Sequence, residues 1–573
     1  MINDIFRKSR QVVSDPVLRR WIIARLTGRE KKPAHFTPGQ PPYLNPATPD
    51  ENIQQIEDVA IRFPRAEFDA PRLPLTIALP GEAVDVAPDR PFNLFTRKFS
   101  DLETELAVHR FAWVPVAAGN VDTNWVATLW ACWTDLFGDQ RTGWAWHAYT
   151  AAERAINIID FSQNHGAPSE PYAFCAMLAR HAEIIIAGLE YFGDHNTSNH
   201  LSNNGRGLLR IGVAIGDGQL AETGSKIMVS EAGRIFERSG VLREGSTHYH
   251  LLLTRNYLDA ADAAERASLH LAGTLRKISE RALAVIPGLC LSGGLPLIGD
   301  ISPDVPPKFL DRLYGSKDQM SWPGNLSADR CADIVSFIGK THRASPEELA
   351  RDGWHKFGGH DWQALTYLAP NGWPQMPGHG HKDLCSFELH YGNTRVVVDP
   401  GRGSYADSVY ENADVHNGIL VDGILPIPEN KPYYSDDFRR ALIPAPPAVT
   451  RARDGMVIAY RVTPFSQSVQ SVSRQWSFAE NAVTISDRIN GSGKHSVRRQ
   501  FIVPGKASVS ENGAEVEIDG AAFRFDAGVP GTILECTQWE AYGVGSEATK
   551  ITFDEATRLP YEGKTIIEKR QFN

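Results

Sequence analysis

The segment GHGHKDLCSFELHYGNTRVVVDPGRGSY, residues 378–405, marks a change in the sequence from helical to strand patterns. Within it, FELHYG and TRVVVDP are short apolar and β-branched runs that end at Gly, Asn or Pro, as strands commonly do. Similar runs follow towards the C-terminus, for example MVIAYRVTP, AVTISDRI and AAFRFDAG. Because turn residues rather than helices separate these runs, we predict that they form an antiparallel β-sandwich.

The residues before this segment carry a helical pattern. From about residue 97 to 345, apolar residues recur at three-to-four spacing, as in PYAFCAMLARHAEIIIAGLEYF (171–192). Several of these helices are apolar on more than one face, so they are expected to be covered on both sides. The predicted fold class is therefore α+β multidomain, with an N-terminal (α/α) toroid followed by a C-terminal antiparallel β-sandwich.

The chain has 573 residues, which is too long for a single core, and we predict three regions. Residues 1–95 are expected to hold an N-terminal helix and an irregular proline-rich wrap. Residues 96–350 are expected to form the toroid, and residues 351–573 the β-sandwich.

The composition gives no indication of a nucleic-acid-binding protein, a zinc ribbon or a redox motif. A net charge of -9 does not suggest a protein that reads nucleic acid, although a local basic cleft can still bind an anionic substrate. The six cysteines are scattered without a CxxC pair, so neither a zinc ribbon nor a redox motif is predicted. The thirteen tryptophans are a mild hint of sugar stacking, although core packing explains most of them better.

The N-terminal segment and the hydropathy bear on localisation. The first residues are basic but lack the apolar core and the small-residue cleavage site of a secretory signal. The sequence therefore predicts a cytoplasmic protein, while a periplasmic or secreted location reached by a non-standard route stays open. No apolar run reaches the roughly 18 to 20 residues needed to cross a bilayer, so no transmembrane segment is expected.

The first group of candidate catalytic or metal-binding residues contains an HxH motif. His379 and His381 flank one glycine at the entrance to a strand, where residues i and i+2 point to the same face. Asp399 ends the next strand and His416 follows a short loop. Two imidazoles and a carboxylate brought together in this way would suit zinc. The alternative is a set of hydrogen-bonded histidines at a sheet edge.

Two further polar clusters each precede an apolar helix. NTSNHLSNNGRGLLRIG (196–212) holds amides, a histidine and an arginine, which are donors suited to a carboxylate. REGSTHYHLLLTRNYLDA (243–260) places Tyr249 near a helix start, among charged residues and histidines. A lone tyrosine there is usually packing, but beside a second polar cluster it becomes a candidate for proton transfer.

Together these stretches resemble the heparinase II/III-like lyase superfamily. The resemblance is carried, in family order over about residues 199–423, by NHLSNNGRGLL, EGSTHYH, HGHKDLCSFE, DPGRGSY and HNGILVDG. It implies a helical toroid followed by antiparallel sheets and the activity of a polysaccharide lyase. The first residues are not predicted to carry the secretion signal usual in the family.

The resemblance also implies roles for individual residues. The predicted catalytic residues are Asn199, His200, Tyr249, His379 and, by looser spacing, Tyr405. The predicted substrate-binding residues are Asn203, Arg206, Arg243 and Glu244. The predicted ligands of a structural zinc ion are His381, Asp399 and His416.

The predicted reaction is β-elimination on an acidic polysaccharide. Removing the C5 proton of a uronate requires neutralisation of its carboxylate, a base for the proton and an acid for the leaving O4. Heparin, chondroitin, hyaluronan, alginate and bacterial exopolysaccharide all meet this requirement, so the polymer stays open. The alternatives are a metal-dependent hydrolase, a glycoside hydrolase on the same toroid, and a glycan-binding or export-associated protein without turnover.

Overall fold

The computed structural model describes residues 66–194, 196–372, 378–427, 446–452, 455–461 and 468–570, with short pieces before residue 66. The predicted N-terminal helix and most of the predicted wrap up to residue 65 lie outside the described residues.

Part of the stretch expected to be irregular is a hairpin. Strands β1 (Leu75–Leu79) and β2 (Glu82–Val86) pair antiparallel around a turn at Pro80 and Gly81. Gly81 has a φ of +82°, which suits a residue without a side chain. Apolar residues alternate in both strands and pack into the helical core, so the prediction is corrected here from wrap to hairpin.

The next part of the chain is helical. Its α-helices are α1 (Asn93–Thr96), α2 (Leu102–Arg110), α3 (Trp113–Ala117), α4 (Thr123–Phe137), α5 (Ala148–His165), α6 (Pro171–Ala187), α7 (His200–Ile215), α8 (Gly218–Ile235), α9 (Thr247–Arg266), α10 (Ala272–Leu289), α11 (Ala328–Lys340) and α12 (Pro346–Arg351).

These helices form two layers. The inner helices α5, α7 and α9 pack side by side, and each contacts the outer helix that follows it in the chain, α6, α8 or α10. The inner helices are buried nearly all round, whereas the outer helices each keep an exposed face. This arrangement agrees with the prediction of helices covered on both sides.

Glycines allow α7 to lie close to its neighbours. A Cβ atom at Gly207 would lie 2.6 Å from the Cβ of Ala152 on α5. A Cβ at Gly205 would lie 2.8 Å from a side-chain carbon of Ile227 on α8. The two glycines of GRG therefore allow α7 to pack closely against α5 in the inner layer and α8 in the outer layer.

The C-terminal part consists of strands. They are β3 (Trp354–Gly359), β4 (Trp362–Tyr367), β5 (Glu388–Tyr391), β6 (Thr394–Val397), β7 (Gly418–Val421), β8 (Ala448–Ala452), β9 (Gly455–Tyr460), β10 (Val469–Phe478), β11 (Ala482–Gly491), β12 (Lys494–Val503), β13 (Lys506–Ser510), β14 (Gly513–Ile518), β15 (Ala521–Asp526), β16 (Thr532–Ala541), β17 (Val544–Arg558) and β18 (Tyr561–Arg570).

Beyond residue 353, the described strands pair antiparallel in sheets that share one core. The strand orders are β13-β14-β15-β18-β11-β10-β9-β8, β16-β17-β12-β7 and β3-β4-β5-β6. Leu389, Trp476 and Phe501, from three different strands, belong to the same buried apolar cluster. The predicted fold class, a helical toroid followed by an antiparallel β-sandwich, is confirmed.

The two halves are joined by an apolar contact and by backbone hydrogen bonds. Leu289 of α10 lies in one buried cluster with Trp354 of β3 and Leu365 of β4. The amide of Ile301 donates to the carbonyl of Arg402 at 2.9 Å. In the described part of the chain, no helix combines the length and apolarity required to span a bilayer.

Candidate active site

The candidate site lies where the inner helices meet the β-domain. Tyr149, His200 and Tyr249 each occupy the first turn of an inner helix, α5, α7 and α9. The N-terminal ends of helices carry partial positive charge, so this end of the toroid favours an anion. The β-domain contributes the segment at His379, whose amide donates to the carbonyl of Glu244 at 2.8 Å.

Asn199 is fixed by Glu244. The backbone amide and the Nδ2 atom of Asn199 donate to the two carboxylate oxygens of Glu244 at 3.1 and 2.8 Å. The same Nδ2 atom lies 3.4 Å from Nε2 of His379. Glu244 was predicted to bind substrate, but both of its oxygens are engaged by Asn199 and it is buried. We therefore assign it to orienting the Asn199 amide.

His200 is oriented by a carboxylate that the sequence analysis missed. Nδ1 of His200 lies 2.8 Å from a carboxylate oxygen of the buried Glu190. Burial lowers the pKa of His200, but the charge and hydrogen bond of Glu190 outweigh it and raise the pKa above its usual value. The ring of Tyr149 packs against His200 with the ring centroids 4.5 Å apart. The site thus favours a fixed and positively charged imidazole.

Two tyrosines from the two halves meet at the junction. The hydroxyl groups of Tyr249 and Tyr405 form a hydrogen bond. The Tyr249 ring stacks on His379 with the centroids 3.5 Å apart and the planes 9° apart. Burial raises the pKa of both phenols well above the usual value, so both are neutral at neutral pH. The structure brings together Tyr249, Tyr405 and His379, which lie far apart in the sequence.

Asp300 contacts His379, His381 and Arg402, and the sequence analysis did not identify it as a candidate. Its carboxylate lies 3.1 Å from Nδ1 of His379, 3.2 Å from Nε2 of His381 and 3.3 Å from Nη1 of Arg402. Burial raises its pKa, but hydrogen bonds from the two histidines and the charge of Arg402 outweigh this and lower it. Asp300 is therefore an anion on which three side chains converge. It lies in an irregular loop with no motif to single it out.

The Tyr149 hydroxyl is held on the helical side by Asp304, a third carboxylate that the sequence analysis missed. It donates to Asp304 at 2.5 Å, and Nη1 of Arg110 donates to the other oxygen of Asp304 at 2.8 Å. The three side chains are buried, so Tyr149 has a fixed position beside His200.

Of the remaining predicted substrate-binding residues, the two arginines are paired with carboxylates and the asparagine is buried. Arg206 is 1% exposed and forms ion pairs with Asp259 at 2.8 Å and Glu153 at 3.0 Å. Arg243 pairs with Glu237 at 3.2 Å. Asn203 lies one turn after His200 and is buried. Arg206 is corrected from a substrate ligand to a member of a buried ion-pair network, because its charge is already neutralised within the core.

The three predicted metal ligands come together as a buried group. Ligand atoms of His381, Asp399 and His416 all lie within 4.8 Å of one another. Asp383, which was not predicted as a ligand, has an oxygen 3.2 Å from Nδ1 of His416.

The donors of this group fit a metal ion. Nε2 of His381 contacts Asp300, while Nδ1 is buried and has no hydrogen-bond partner among the described residues. Burial lowers the pKa of His416, but Asp399 and Asp383 outweigh this and raise it to about 9. The pocket therefore attracts positive charge, and these residues could hold a metal ion.

The β-domain matches a known family. Residues 341–570 match the model described as "Heparinase II/III-like, C-terminal". Among curated proteins, none matches the sequence.

Solved structures share the fold over nearly the whole chain. "Crystal Structure of Heparinase III" is 13% identical with a TM-score of 0.59, covering 97% of this chain and 92% of that one. A heparan sulfate lyase HepC mutant from Pedobacter heparinus is 14% identical with a TM-score of 0.52, covering 98% and 90%. The predicted resemblance to the heparinase II/III-like superfamily is confirmed over residues 341–570, and these structures share the fold of the chain.

Proposed function

Because residues 341–570 form a heparinase II/III-like domain and the chain has the fold of that superfamily, we propose a polysaccharide lyase. Its substrate is a uronic-acid-containing glycan, which it cleaves by β-elimination to leave a 4,5-unsaturated uronate end. The observation that carries this proposal is the grouping of Asn199, His200, Tyr249, His379 and Tyr405 at one junction.

The first requirement of the reaction is a partner for the uronate carboxylate. The C5 carbanion shares its charge with that carboxylate, so donors that neutralise the carboxylate lower the barrier. Asn199 offers an amide oriented by Glu244, and His200 offers a ring whose charged form is favoured by Glu190. The proton on Nε2 of His200 and the second proton of the Asn199 amide are suited to the two carboxylate oxygens.

The second requirement is a base and an acid. The raised pKa of Tyr249 and Tyr405 makes each a neutral phenol that can donate a proton to the leaving O4. Nδ1 of His379 lies 3.1 Å from Asp300, which favours the tautomer with the proton on Nδ1. In that tautomer Nε2, which lies 3.4 Å from the Asn199 amide and 3.4 Å from Glu244, is the acceptor for the C5 proton. We therefore assign the acid to the tyrosine pair, with Tyr249 nearest the histidine, and the base to His379.

We infer that the buried group binds zinc and that its role is structural. His381, Asp399 and His416 supply two nitrogens and an oxygen, a set that zinc accepts, and Asp383 lies close enough to complete it. The three residues of the group are each no more than 4% exposed. When bound, the ion would fix the loop that carries His379.

The same burial argues against a metal-dependent hydrolase. A hydrolytic metal needs an open position for water and substrate. Here His416 is 1% exposed and its Nε2 lies 2.8 Å from the carbonyl of Tyr410. The residues grouped at the junction of the two halves, by contrast, form the constellation expected for a lyase.

The test is a panel of heparan sulfate, chondroitin, hyaluronan, alginate and a neutral glucan as control. The proposal predicts new ultraviolet absorbance from unsaturated ends with at least one uronate polymer and none with the glucan. Turnover that releases reducing ends without this absorbance would identify a hydrolase instead. Binding of a polymer without any turnover would favour a glycan-binding protein.

A further inference from the structure

Trp144 stands apart from the other described tryptophans. Its side chain is 49% exposed, whereas Trp146, two residues later, is 2% exposed. Most of the other described tryptophans are also buried in the two cores. Core packing therefore explains those residues but does not explain Trp144.

The exposed position of Trp144 is held by its neighbours. Trp144–Trp146 is a short 3₁₀ helix that leads into α5. The indole of Trp146 donates to the carbonyl of Phe137 at 2.8 Å and packs on Trp133 at 5.2 Å between ring centroids. This anchor two residues away holds the Trp144 backbone in place, so the indole is presented to solvent from an ordered turn.

A short series of contacts connects Trp144 to the candidate site. Its ring lies 5.7 Å from the ring of His147, centroid to centroid. Nε2 of His147 lies 3.7 Å from the same Glu190 oxygen that holds Nδ1 of His200 at 2.8 Å. Trp144 is therefore linked to His200, the proposed partner of the uronate carboxylate, through His147 and Glu190.

An exposed indole beside a polar group has the chemistry of a sugar site. The C–H face of a pyranose is apolar and packs on an aromatic ring, while its hydroxyls need hydrogen-bond partners at the edge. His147, whose side chain is 37% exposed, can supply such a partner. Tyr172 is 51% exposed, but it lies at the start of the outer helix α6.

We propose that Trp144 and His147 form a subsite that binds a pyranose ring of the glycan next to the uronate held by His200. This inference rests on the proposed function, since the same glycan occupies both places. The subsite extends recognition beyond the cleaved linkage, so longer oligosaccharides bind more tightly than the shortest ones that can be cleaved.

The test compares Trp144→Ala and Trp144→Phe with Tyr172→Ala as a matched exposed control. On the polymer that the native protein cleaves, Trp144→Ala is expected to raise KM by about three- to tenfold at unchanged kcat. Trp144→Phe should keep part of the effect, and Tyr172→Ala should behave as native. The KM for an oligosaccharide too short to reach the Trp144 subsite should not change. An unchanged KM for the polymer in Trp144→Ala would overturn the subsite.

A binding measurement separates this proposal from the proposed function. Affinity electrophoresis of each variant in gels that contain heparan sulfate, chondroitin, hyaluronan or alginate needs no turnover. Retardation that is lost in Trp144→Ala but kept in Tyr172→Ala supports the subsite even if the native protein cleaves nothing. Retardation that does not depend on Trp144, or none in any gel, contradicts it.

Discussion

The carboxylate of Asp300 lies 3.1 Å from Nδ1 of His379 and joins the helical half to the first histidine of the β-domain motif. The backbone adds a second link, because the amide of Asp300 donates to the carbonyl of His379 at 2.9 Å. The other carboxylate oxygen lies 3.2 Å from His381. One buried side chain thus positions both the proposed base and a proposed metal ligand.

Asp300→Asn is expected to lower kcat by about 10- to 100-fold with little change in KM, because Asp300 acts through its hydrogen bond to His379 rather than on the substrate. The amide keeps the shape of the side chain but weakens its hold on Nδ1 of His379. In a His379→Ala background, the same substitution should have no further effect on kcat.

A multiplicative effect of Asp300→Asn and His379→Ala would contradict this account and point to a general structural role. Thermal unfolding and metal content of each variant provide the control for folding.

Glu190→Gln should move the pH dependence of substrate binding. Glu190 raises the pKa of His200, so the cationic ring is present below that raised pKa and is lost as the pH rises through it. Without the carboxylate, the pKa of His200 falls. The increase in KM at high pH should therefore begin at a lower pH than in the native protein.

The measurement is KM against pH for both proteins on one uronate polymer. An unshifted profile in Glu190→Gln would show that His200 does not bind the carboxylate as a cation.

Removal of the metal should lower the thermal stability of the protein, and turnover should be lost only as the protein unfolds. A chelator, or His416→Ala, is expected to lower Tm, because three buried ligands would lose the ion that joins them. Mass spectrometry of the intact native protein should detect one zinc, and His416→Ala should lack it.

If a chelator stopped turnover at a temperature where circular dichroism showed an unchanged fold, the metal would be catalytic. That result would restore the hydrolase alternative.

The sequence predicted the two-layered helical half well, because apolar residues on several faces of one helix require cover on both sides. It also pointed to Asn199, Tyr249 and His379 because each lies in a local motif. It missed Asp300 and Glu190, since their contacts reach 79 and 10 residues along the chain and no local pattern marks them.

Arg206 shows the opposite error. A cation close to His200 in the sequence suggested a ligand for an anionic substrate. In the structure it is fully buried on α7, with Asp259 of α9 and Glu153 of α5 as its partners. Pairing between helices depends on how they pack, which residue spacing within one helix does not reveal.

The most direct test of the central claim is the rate at which unsaturated uronate ends appear with native protein, Tyr249→Phe and Tyr172→Phe. The assay is ultraviolet absorbance on the polymer that the native protein cleaves best. The account predicts that Tyr172→Phe matches the native rate and that Tyr249→Phe is slower by about 10²- to 10⁴-fold, with its fold intact. An undiminished rate in Tyr249→Phe would contradict the account.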